Sequence, residues 1–329
     1  MATVRLDAHH DSWWKRLPVV AQLRRSVGWQ RAMLVTGVVI CAFFILVAVF
    51  APLIAPYGFA QLQNDAGQSF PRTGAPSATH IWGTTVGGFD VFSRVVFGAR
   101  TALLVVIVAV VVSIILGVLL GLVSGYIGGW LDRILVVIAD AVYAFPSLLL
   151  AIVVSIVISG GQSSYAGGIV AAGISITVVY VPQYFRVIRA EAVRLKGEAF
   201  VESARVVGAN PWRIMIRHVL RNSTRSLPLI LTLNASDSIL TLASLGFLGF
   251  GIGPTAGAEW GYDLNRALSD TASGIWWTGV FPGSAIVLLV LGVTFVGESL
   301  NDISDPRLRA RRRAKQRVVP TAATEGANA

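Results

Sequence analysis

Six long runs of apolar residues decide what this chain can fold into. They cover residues 33–53, 102–124, 134–159, 168–185, 228–249 and 279–297, and an α-helix needs about 20 such residues to cross a bilayer. Hydrophobic residues make up 54% of the chain and charged residues only 13%, whereas soluble domains carry roughly 25% charged residues. Since a helix satisfies its own backbone hydrogen bonds in lipid, we predict an all-α polytopic membrane protein with about six transmembrane helices.

Positive charge is concentrated in alternate segments between these runs. Of the 27 Lys and Arg residues, 23 lie in residues 1–32, 125–133, 186–227 and 298–329. The positive-inside rule therefore predicts that both termini are cytoplasmic and that residues 54–101 and 250–278 are outer loops. The same segregation argues against nucleic-acid binding, although the net charge is +10. A segment of 32 residues before the first run is long for a signal peptide, so we expect that run to remain as a helix.

The first 32 residues combine aromatic and aliphatic residues with basic ones. Trp13, Trp14 and Leu17 alternate with Lys15 and Arg16, a pattern that predicts an amphipathic helix lying on anionic lipid at the inner surface. The alternative is a basic tail without regular structure. The basic segment 298–329 is predicted to be a cytoplasmic tail.

Two runs carry residues that suggest packing or transport. Small residues recur every four positions in the second run, which predicts a close helix–helix interface within the subunit or with a partner: Ser113, Gly117, Gly121 and Gly125.

Ionisable residues in a span usually have a function, and they occur as Asp140 in the third run and Asp237 in the fifth. The polar group around the second of these predicts a hydrated translocation pathway: Asn234, Ser236, Asp237 and Ser238. The alternative is that neighbouring groups satisfy Asp237 structurally.

The basic segment 186–227 predicts a docking element. Its pattern favours a helix from about 191 to 207, a break beginning at Gly208, and a second helix from Pro211, with Asn210 as its N-cap. Such a pair of Arg-rich helices would project from the membrane into the cytoplasm.

This segment resembles the EAA loop shared by permeases of ATP-binding-cassette (ABC) importers, through Glu202-Ser203-Ala204, Gly208 and Leu220. In that family the loop is the coupling helix that docks in a cleft of the ATPase subunit. The resemblance therefore implies a coupling role for Glu202, Ser203, Ala204, Gly208, Ala209, Arg213, Arg217 and His218. Two residues depart from the pattern: Arg221 replaces the usual proline, and Ser203 replaces the usual alanine.

Further motifs are similar to the C-type subunit of dipeptide, oligopeptide and nickel permeases, over about residues 30–310. They are Gly83-Thr84, Asp90 to Arg94, Gly98 to Arg100, Gly125 to Gly129 with Asp132-Arg133, Asp140 with Phe145 to Ser147, Arg217-His218 with Asn222, Ser244 to Gly249, Trp260-Gly261, Trp276-Trp277, Pro282-Gly283 and Asp305 to Arg307. Thr85 and Phe89 replace common family residues, and Leu242 stands where an acidic residue is common. These departures suggest a substrate preference different from that of typical peptide permeases.

The resemblance implies a type I ABC importer permease fold in the bacterial inner membrane. It implies half of a peptide pathway, formed with a homologous second permease, two ABC ATPase subunits and an extracytoplasmic substrate-binding protein. The outer segment 250–278 is then expected to contact substrate or binding protein through Trp260, Asp263, Trp276 and Trp277.

Several chemistries lack a motif in this sequence. No Gly-x-x-x-x-Gly-Lys-Ser/Thr occurs, so we expect partner subunits to use ATP and Mg²⁺, with no cofactor bound by this chain. With one Cys and four scattered His, we expect no metal site. We find no pair of residues that could act as catalytic nucleophile and base, so we do not expect an enzyme. The alternatives are a nickel permease of the same family, an ion-driven carrier or channel, and a membrane enzyme.

Overall fold

The computed structural model describes residues 29–160, 165–224 and 227–304, and helices account for most of them. In chain order these are α1 (Trp29–Val49), α2 (Ala51–Ile54), α3 (Val91–Ile127), α4 (Gly129–Ala144), α5 (Ser147–Ser159), α6 (Tyr165–Lys196), α7 (Ala199–Val206), α8 (Pro211–Ile214), a π-helical turn (Met215–Leu220), α9 (Arg221–Ser223), α10 (Leu227–Phe247), α11 (Trp260–Ala272) and α12 (Trp277–Ser304). The predicted amphipathic helix and most of the predicted C-terminal tail lie outside the described residues.

Within the described ranges, five helices are long and apolar enough to cross a membrane: α1, α3, α6, α10 and α12. A sixth span requires α4 and α5 together, and these two helices meet at an angle of 98°. The sequence analysis predicted one run over 134–159. The break follows from Pro146, which holds the preceding Phe145 in an extended conformation (φ −80°, ψ 140°) and cannot donate a helical hydrogen bond.

The longest helix, α3, begins at Val91, well before the run predicted over 102–124. Asp90 caps its start, because one carboxylate oxygen accepts hydrogen bonds from the Ser93 amide (2.8 Å) and hydroxyl (2.7 Å). The 37 residues of α3 span roughly 55 Å, which exceeds the hydrocarbon thickness of about 30 Å. Part of this helix therefore extends beyond the membrane core.

The predicted small-residue interface is formed within the subunit, between α3 and α6. A Cβ atom at Gly121 would lie 2.6 Å from the Phe185 carbonyl oxygen, and one at Gly125 would lie 2.6 Å from the Arg189 carbonyl oxygen. Gly117 meets Tyr184 in the same way. The two backbones can approach this closely only because no side chain separates them.

The main hydrophobic core lies where α3, α6, α10 and α12 meet, and α1 covers it. Prolines and glycines predict a non-helical path for both outer segments. Residues 55–90 follow such a path, but residues 91–101 belong to α3 and Trp260–Ala272 form α11. Two isolated β-bridges hold residues 55–90 together, pairing Gln63 with Ser69 and Thr84 with Asp90. This segment lies against the start of α12, since Trp277 donates to the Thr84 carbonyl (3.2 Å).

Candidate functional site

The docking segment predicted over 186–227 begins inside α6, because this helix continues to Lys196. The sequence analysis predicted one helix over 191–207, but the structure interrupts it with a turn at Gly197 and Glu198. The Glu198 amide closes this turn by donating to the Leu195 carbonyl (3.1 Å). Glycine interrupts the helix readily because it loses the most conformational freedom there. We call residues 197–224 the coupling segment.

The predicted break at Gly208 is confirmed. Its backbone is left-handed, with φ of 80°, a conformation that glycine adopts without steric cost. The Gly208 amide donates to the Arg205 carbonyl (2.9 Å), and the Ala209 amide donates to the Ala204 carbonyl (3.0 Å). These bonds satisfy carbonyls at the end of α7 and turn the chain away from its axis.

The second helix of the segment starts as predicted. The Asn210 side chain accepts a hydrogen bond from the Trp212 amide (2.9 Å), and Pro211 occupies the first helical position, where its missing N–H has no partner to lose. A π-helical turn follows over Met215–Leu220. The sequence analysis did not predict this turn.

An apolar cluster fixes the coupling segment to the membrane helices. Val201 and the residues that follow the break pack against α3 and α6, and all of the following are buried: Leu122, Tyr126, Ile188, Leu195, Val201, Ile214, Met215 and Val219. Through this cluster the coupling segment is in direct contact with α3 and α6.

One face of the coupling segment is apolar and exposed. Val206 is 88% exposed, Val207 is 87% exposed and Trp212 is 59% exposed. Arg205 and Arg213 are exposed beside them. Apolar side chains rimmed by polar ones mark a protein interface when they lie outside the transmembrane spans. The sequence analysis overlooked these three residues, although two valines directly before a helix-ending glycine were a usable signal.

Most of the residues predicted to couple this chain to an ATPase lie on the surface. Those exposed are Glu202, Ser203, Gly208, Arg213 and Arg217, and those half-buried are Ala204, Ala209 and His218. Beside them lies a cavity of about 460 Å³ between α6, α7 and α9. Arg194 lines it and pairs with Glu191 (2.9 Å) and Glu198 (3.2 Å).

Two ion pairs connect α6 to α4. Arg189 donates to Asp132, with 2.7 Å between Nη2 and Oδ2, and Arg186 lies 2.8 Å from Asp140. Asp140, which the sequence analysis singled out as an ionisable residue within a span, is therefore paired within the chain. The Arg186 guanidinium also lies 4.1 Å from the centre of the Tyr143 ring.

Three of the four residues predicted to line a pathway are buried within this chain. Asn234 is buried, and its backbone carbonyl accepts a hydrogen bond from the buried Ser238 hydroxyl (2.6 Å). The Ser236 hydroxyl lies 3.1 Å from that of Thr294. These three side chains are therefore covered by other parts of the same chain. The sequence pattern alone could not show which way that face points.

Asp237 is the exception, because it is exposed on α10. Its Oδ2 accepts a hydrogen bond of 2.6 Å from the hydroxyl of Tyr180, whose ring is buried in the core. The Tyr180 hydroxyl also lies 3.2 Å from that of Thr241. The carboxylate is thus held in one orientation and presented on the outside of the subunit.

The three tryptophans of segment 250–278 that were predicted to contact substrate or binding protein have different environments. Trp260 is buried and donates to the Val95 carbonyl (3.0 Å), and Trp277 donates to the Thr84 carbonyl. Both therefore anchor α11 and α12 against α3 and the segment before it. Trp276 is 51% exposed, so of the three it alone offers a large accessible surface.

Asp263, also predicted as a contact, is buried against Arg94 of α3. The Arg94 Nε atom lies 2.8 Å and 3.0 Å from the two carboxylate oxygens. The same guanidinium donates to the carbonyls of Phe59 (3.1 Å) and Pro254 (3.2 Å). Arg94 thus joins α3, α11 and both flanking loops. The sequence analysis noted it only as part of a family motif, because its partner is 169 residues away.

Glu259 caps α11, and the sequence analysis missed it. Its two carboxyl oxygens accept hydrogen bonds from the Gly261 and Tyr262 amides (2.8 Å each). The carboxyl group packs directly on Gly246, where a Cβ atom would collide with it. Burial raises the pKa of Glu259 to about 8, against the opposing effect of the two amide donors.

Two family models match parts of this chain. A family model described as binding-protein-dependent transport system inner membrane component matches residues 117–310. A second model, the N-terminal transmembrane domain of oligopeptide transport permease C, matches residues 30–71.

Two curated relatives cover most of the chain. The dipeptide transport system permease protein DppC of Alkalihalophilus pseudofirmus is 36% identical over 279 residues, which are 84% of this chain and 86% of the relative. The glutathione transport system permease protein GsiD of Shigella flexneri is 37% identical over 280 residues, covering 84% and 87% respectively.

Among solved structures, a chain from inward-facing conformations of the MetNI methionine ABC transporter has a similar fold. The TM-score is 0.50 at 20% sequence identity, over 64% of this chain and 94% of that chain.

Proposed function

Because this chain belongs to the family of binding-protein-dependent transport system inner membrane components, we propose that it forms one half of the translocation pathway of an ATP-driven peptide importer. The relatives named for dipeptide and glutathione transport support a short peptide as cargo. The match to oligopeptide permease C supports the C-type position in the assembly.

The proposed assembly contains a homologous second permease, two ABC ATPase subunits and an extracytoplasmic binding protein. The ATPase subunits bind ATP and Mg²⁺, and this chain binds neither. The complex is proposed to lie in the bacterial inner membrane, with the coupling segment and both termini on the cytoplasmic side. This orientation rests on the distribution of Lys and Arg.

The observation that carries the proposal is the coupling segment. It combines an exposed apolar face at Val206, Val207 and Trp212 with a buried cluster that attaches it to α3 and α6. A partner bound to the exposed face can therefore move the membrane helices. Closure of the ATPase subunits changes the contacts on that face, and only such a difference in contacts can shift the equilibrium between two conformations.

Asp237 is our candidate for contact with the cargo. A carboxylate on the outside of a transmembrane helix is costly in lipid, so such residues face a protein interface or a water-filled cavity. In the proposed heterodimer this face of α10 meets the second permease across the pathway. There the Asp237 carboxylate, oriented by Tyr180, would attract the ammonium group of a peptide.

The other functions have less support. No relative reported above is a nickel permease, and within the described ranges no group of three or more His, Cys, Asp or Glu side chains could hold a metal ion. An ion-driven carrier or channel gives no reason for the exposed apolar face of the coupling segment.

The proposal is tested by reconstitution. The chain is expressed with its neighbouring transport genes, purified through a tag and incorporated into proteoliposomes, and uptake of radiolabelled dipeptides, glutathione and Ni²⁺ is measured with and without ATP. We expect ATPase subunits to co-purify and peptide uptake to require both ATP and the binding protein. Uptake without ATP by the chain purified alone would refute the importer, and ATP-dependent uptake of Ni²⁺ instead of peptide would refute the cargo. Glu202→Lys, on the exposed side of α7, should lower the ATPase response to binding protein.

A further inference from the structure

The sharp bend between α4 and α5 leaves an exposed surface on the membrane bundle. The two helices meet at 98°, and we call residues 143–147, around the bend, the elbow. Tyr143 is 50% exposed and Phe145 is 61% exposed, and Pro146 and Ser147 are exposed as well. The elbow is separate from the coupling segment and from Asp237.

The elbow lies at membrane depth. On one side of it, the Ser155 hydroxyl of α5 donates to the Phe250 carbonyl (3.0 Å), just past the end of α10. The rise from Ser147 to Ser155 is roughly 12 Å, whereas α10 is roughly 31 Å long. On the other side, α4 pairs with Arg186 and Arg189, in the half of α6 that leads to the coupling segment. The elbow therefore lies between these two levels, within the depth that α10 covers.

A helix break at this depth exposes polar backbone groups. Pro146 has no N–H, and the end of α4 and the start of α5 leave carbonyls and amides without partners inside their own helices. Lipid offers no hydrogen bonds, so non-helical backbone occurs within a membrane only where protein buries it or where it lines a water-filled cavity. Because the elbow is exposed in this chain, water or another subunit surrounds it in the assembly.

An exposed ion pair lies beside the elbow. Arg186 donates to Asp140 (2.8 Å), and 42% of the arginine side chain and 58% of the aspartate side chain are exposed. The guanidinium also lies over the ring of Tyr143, which belongs to the elbow. The pair is neutral as a whole, yet charged groups within a span are costly in lipid and face a bundle interior or a water-filled cavity. The ion pair and the broken backbone thus require polar surroundings on the same surface.

Water suits this surface better than a packed protein contact. A partner subunit would have to supply a donor or acceptor for each free backbone group, and burying the ion pair would remove its hydration. Water meets both requirements without a matched surface. Asp237 is exposed in the same part of the bundle, because its partner Tyr180 precedes Arg186 on α6 by less than about two helical turns.

We propose that the elbow lines the water-filled translocation pathway of the assembled importer, with the Arg186–Asp140 pair in the wall beside it. The inference rests on the proposed function. A peptide that moves from Asp237 toward the coupling segment then passes backbone groups and a charge pair that hydrogen-bond to its amides. The same wall connects to the coupling segment, since α6 continues from Arg186 to Lys196 and the segment starts at the next residue.

The experiment measures water access at the elbow by cysteine modification. Ser147→Cys is made together with Cys41→Ala, which removes the single native cysteine, and the full complex is placed in nanodiscs so that both membrane faces are accessible. The probe is a charged, membrane-impermeant methanethiosulfonate reagent. We expect modification at least roughly tenfold faster than at a lipid-facing cysteine, because the reacting thiolate is disfavoured in apolar surroundings. Modification should also block ATP-dependent uptake of a radiolabelled dipeptide in proteoliposomes.

Val287→Cys in the same background is the matched control. Val287 is 57% exposed within α12, and its exposed neighbours Leu288 and Leu291 are aliphatic, so this position should face lipid and react slowly. Equal rates at the two cysteines would reflect general access of the reagent and would refute the inference. A slow reaction of Ser147→Cys in a complex that still takes up dipeptide would mean that lipid or the second permease covers the elbow, which also refutes it. Loss of ATP-dependent uptake in the wild-type complex, by contrast, counts against the proposed function, since the modification rate reports water access alone.

Discussion

Gly208 gives the sharpest test of how the coupling segment is built. Its φ is 80°, and no atom lies within 4 Å of the position that a Cβ would occupy. Gly208→Ala therefore meets no steric clash with the rest of the chain, and its whole cost is the left-handed backbone. For a residue with a Cβ this cost is roughly 1–2 kcal/mol.

The strain is relieved if the turn after α7 leaves this conformation, which also moves the exposed valines away from their docking geometry. A cost of about 1–2 kcal/mol corresponds to a ~5- to 30-fold smaller population of the native turn relative to its relaxed alternatives. We expect the concentration of ATPase subunit needed for half-maximal assembly to rise by up to that factor. Gly208→Asn should have a smaller effect, because asparagine tolerates the left-handed region better than alanine.

The assay is binding of the purified ATPase subunit to permease heterodimers in nanodiscs, with ATP hydrolysis as a second measurement. Gly173→Ala is the control: Gly173 lies in α6, has open space around its Cβ position and has no left-handed backbone. It should bind like wild type. If Gly208→Ala and Gly173→Ala behave alike, backbone strain at Gly208 does not govern docking and the reasoning is refuted.

Three further predictions concern the exposed face, the α11 cap and the core. Val206 and Val207 are 88% and 87% exposed, and replacing both by serine should weaken ATPase binding by roughly 2–3 kcal/mol, or ~30- to 150-fold. The reason is that burying each valine side chain in the interface contributes about 1.5 kcal/mol. Serine has a helix propensity similar to that of valine, so the helix itself should be little affected. The raised pKa of Glu259, about 8, means that the folded state keeps a proton that the unfolded state loses near pH 4.5. The stability from this group is therefore complete below about pH 4.5 and falls as pH rises through 8, by at most about 1.4 kcal/mol per pH unit; Glu259→Gln should flatten this dependence of the thermal midpoint. Gly121→Ala should lower the thermal midpoint by an amount corresponding to about 1–3 kcal/mol, because its Cβ would meet the Phe185 carbonyl.

Each of these predictions has a control or a contradicting result. Leu268→Ser removes an exposed apolar side chain from α11 and should leave ATPase binding unchanged; equal losses would mean that the valine effect is unspecific. A thermal midpoint that depends on pH equally in wild type and Glu259→Gln would assign the titration to another group. Gly173→Ala, with open space around its Cβ position in α6, should be nearly neutral, and an equal loss there would contradict the steric argument.

Much of the fold was predictable because its signals are local. Apolar runs of about 20 residues indicate spans whatever surrounds them, and Gly208, Asn210 and Pro211 end and start helices through their own backbone chemistry. The small-residue stripe on α3 predicted a close interface for the same reason, although its partner could have been another subunit.

The candidate sites were predicted less well, because exposure depends on how the helices pack. Ser236 and Asp237 are adjacent on one helix and both polar, yet the first is buried and the second exposed. A polar run gives no information about which neighbour covers it. The exposed valines of the coupling segment were missed in the same way, since an apolar residue in a sequence is expected to be buried.

The protein class, the approximate spans and the helix–glycine–helix form of the coupling segment were readable from the sequence, since each depends on residues within a few turns of one another. The pairing of Arg94 with Asp263 across 169 residues and the orientation of Asp237 by Tyr180 became visible in the folded chain. These features require distant segments to meet at distances of a few ångströms. Helix packing sets such distances, and the periodicity of a sequence does not.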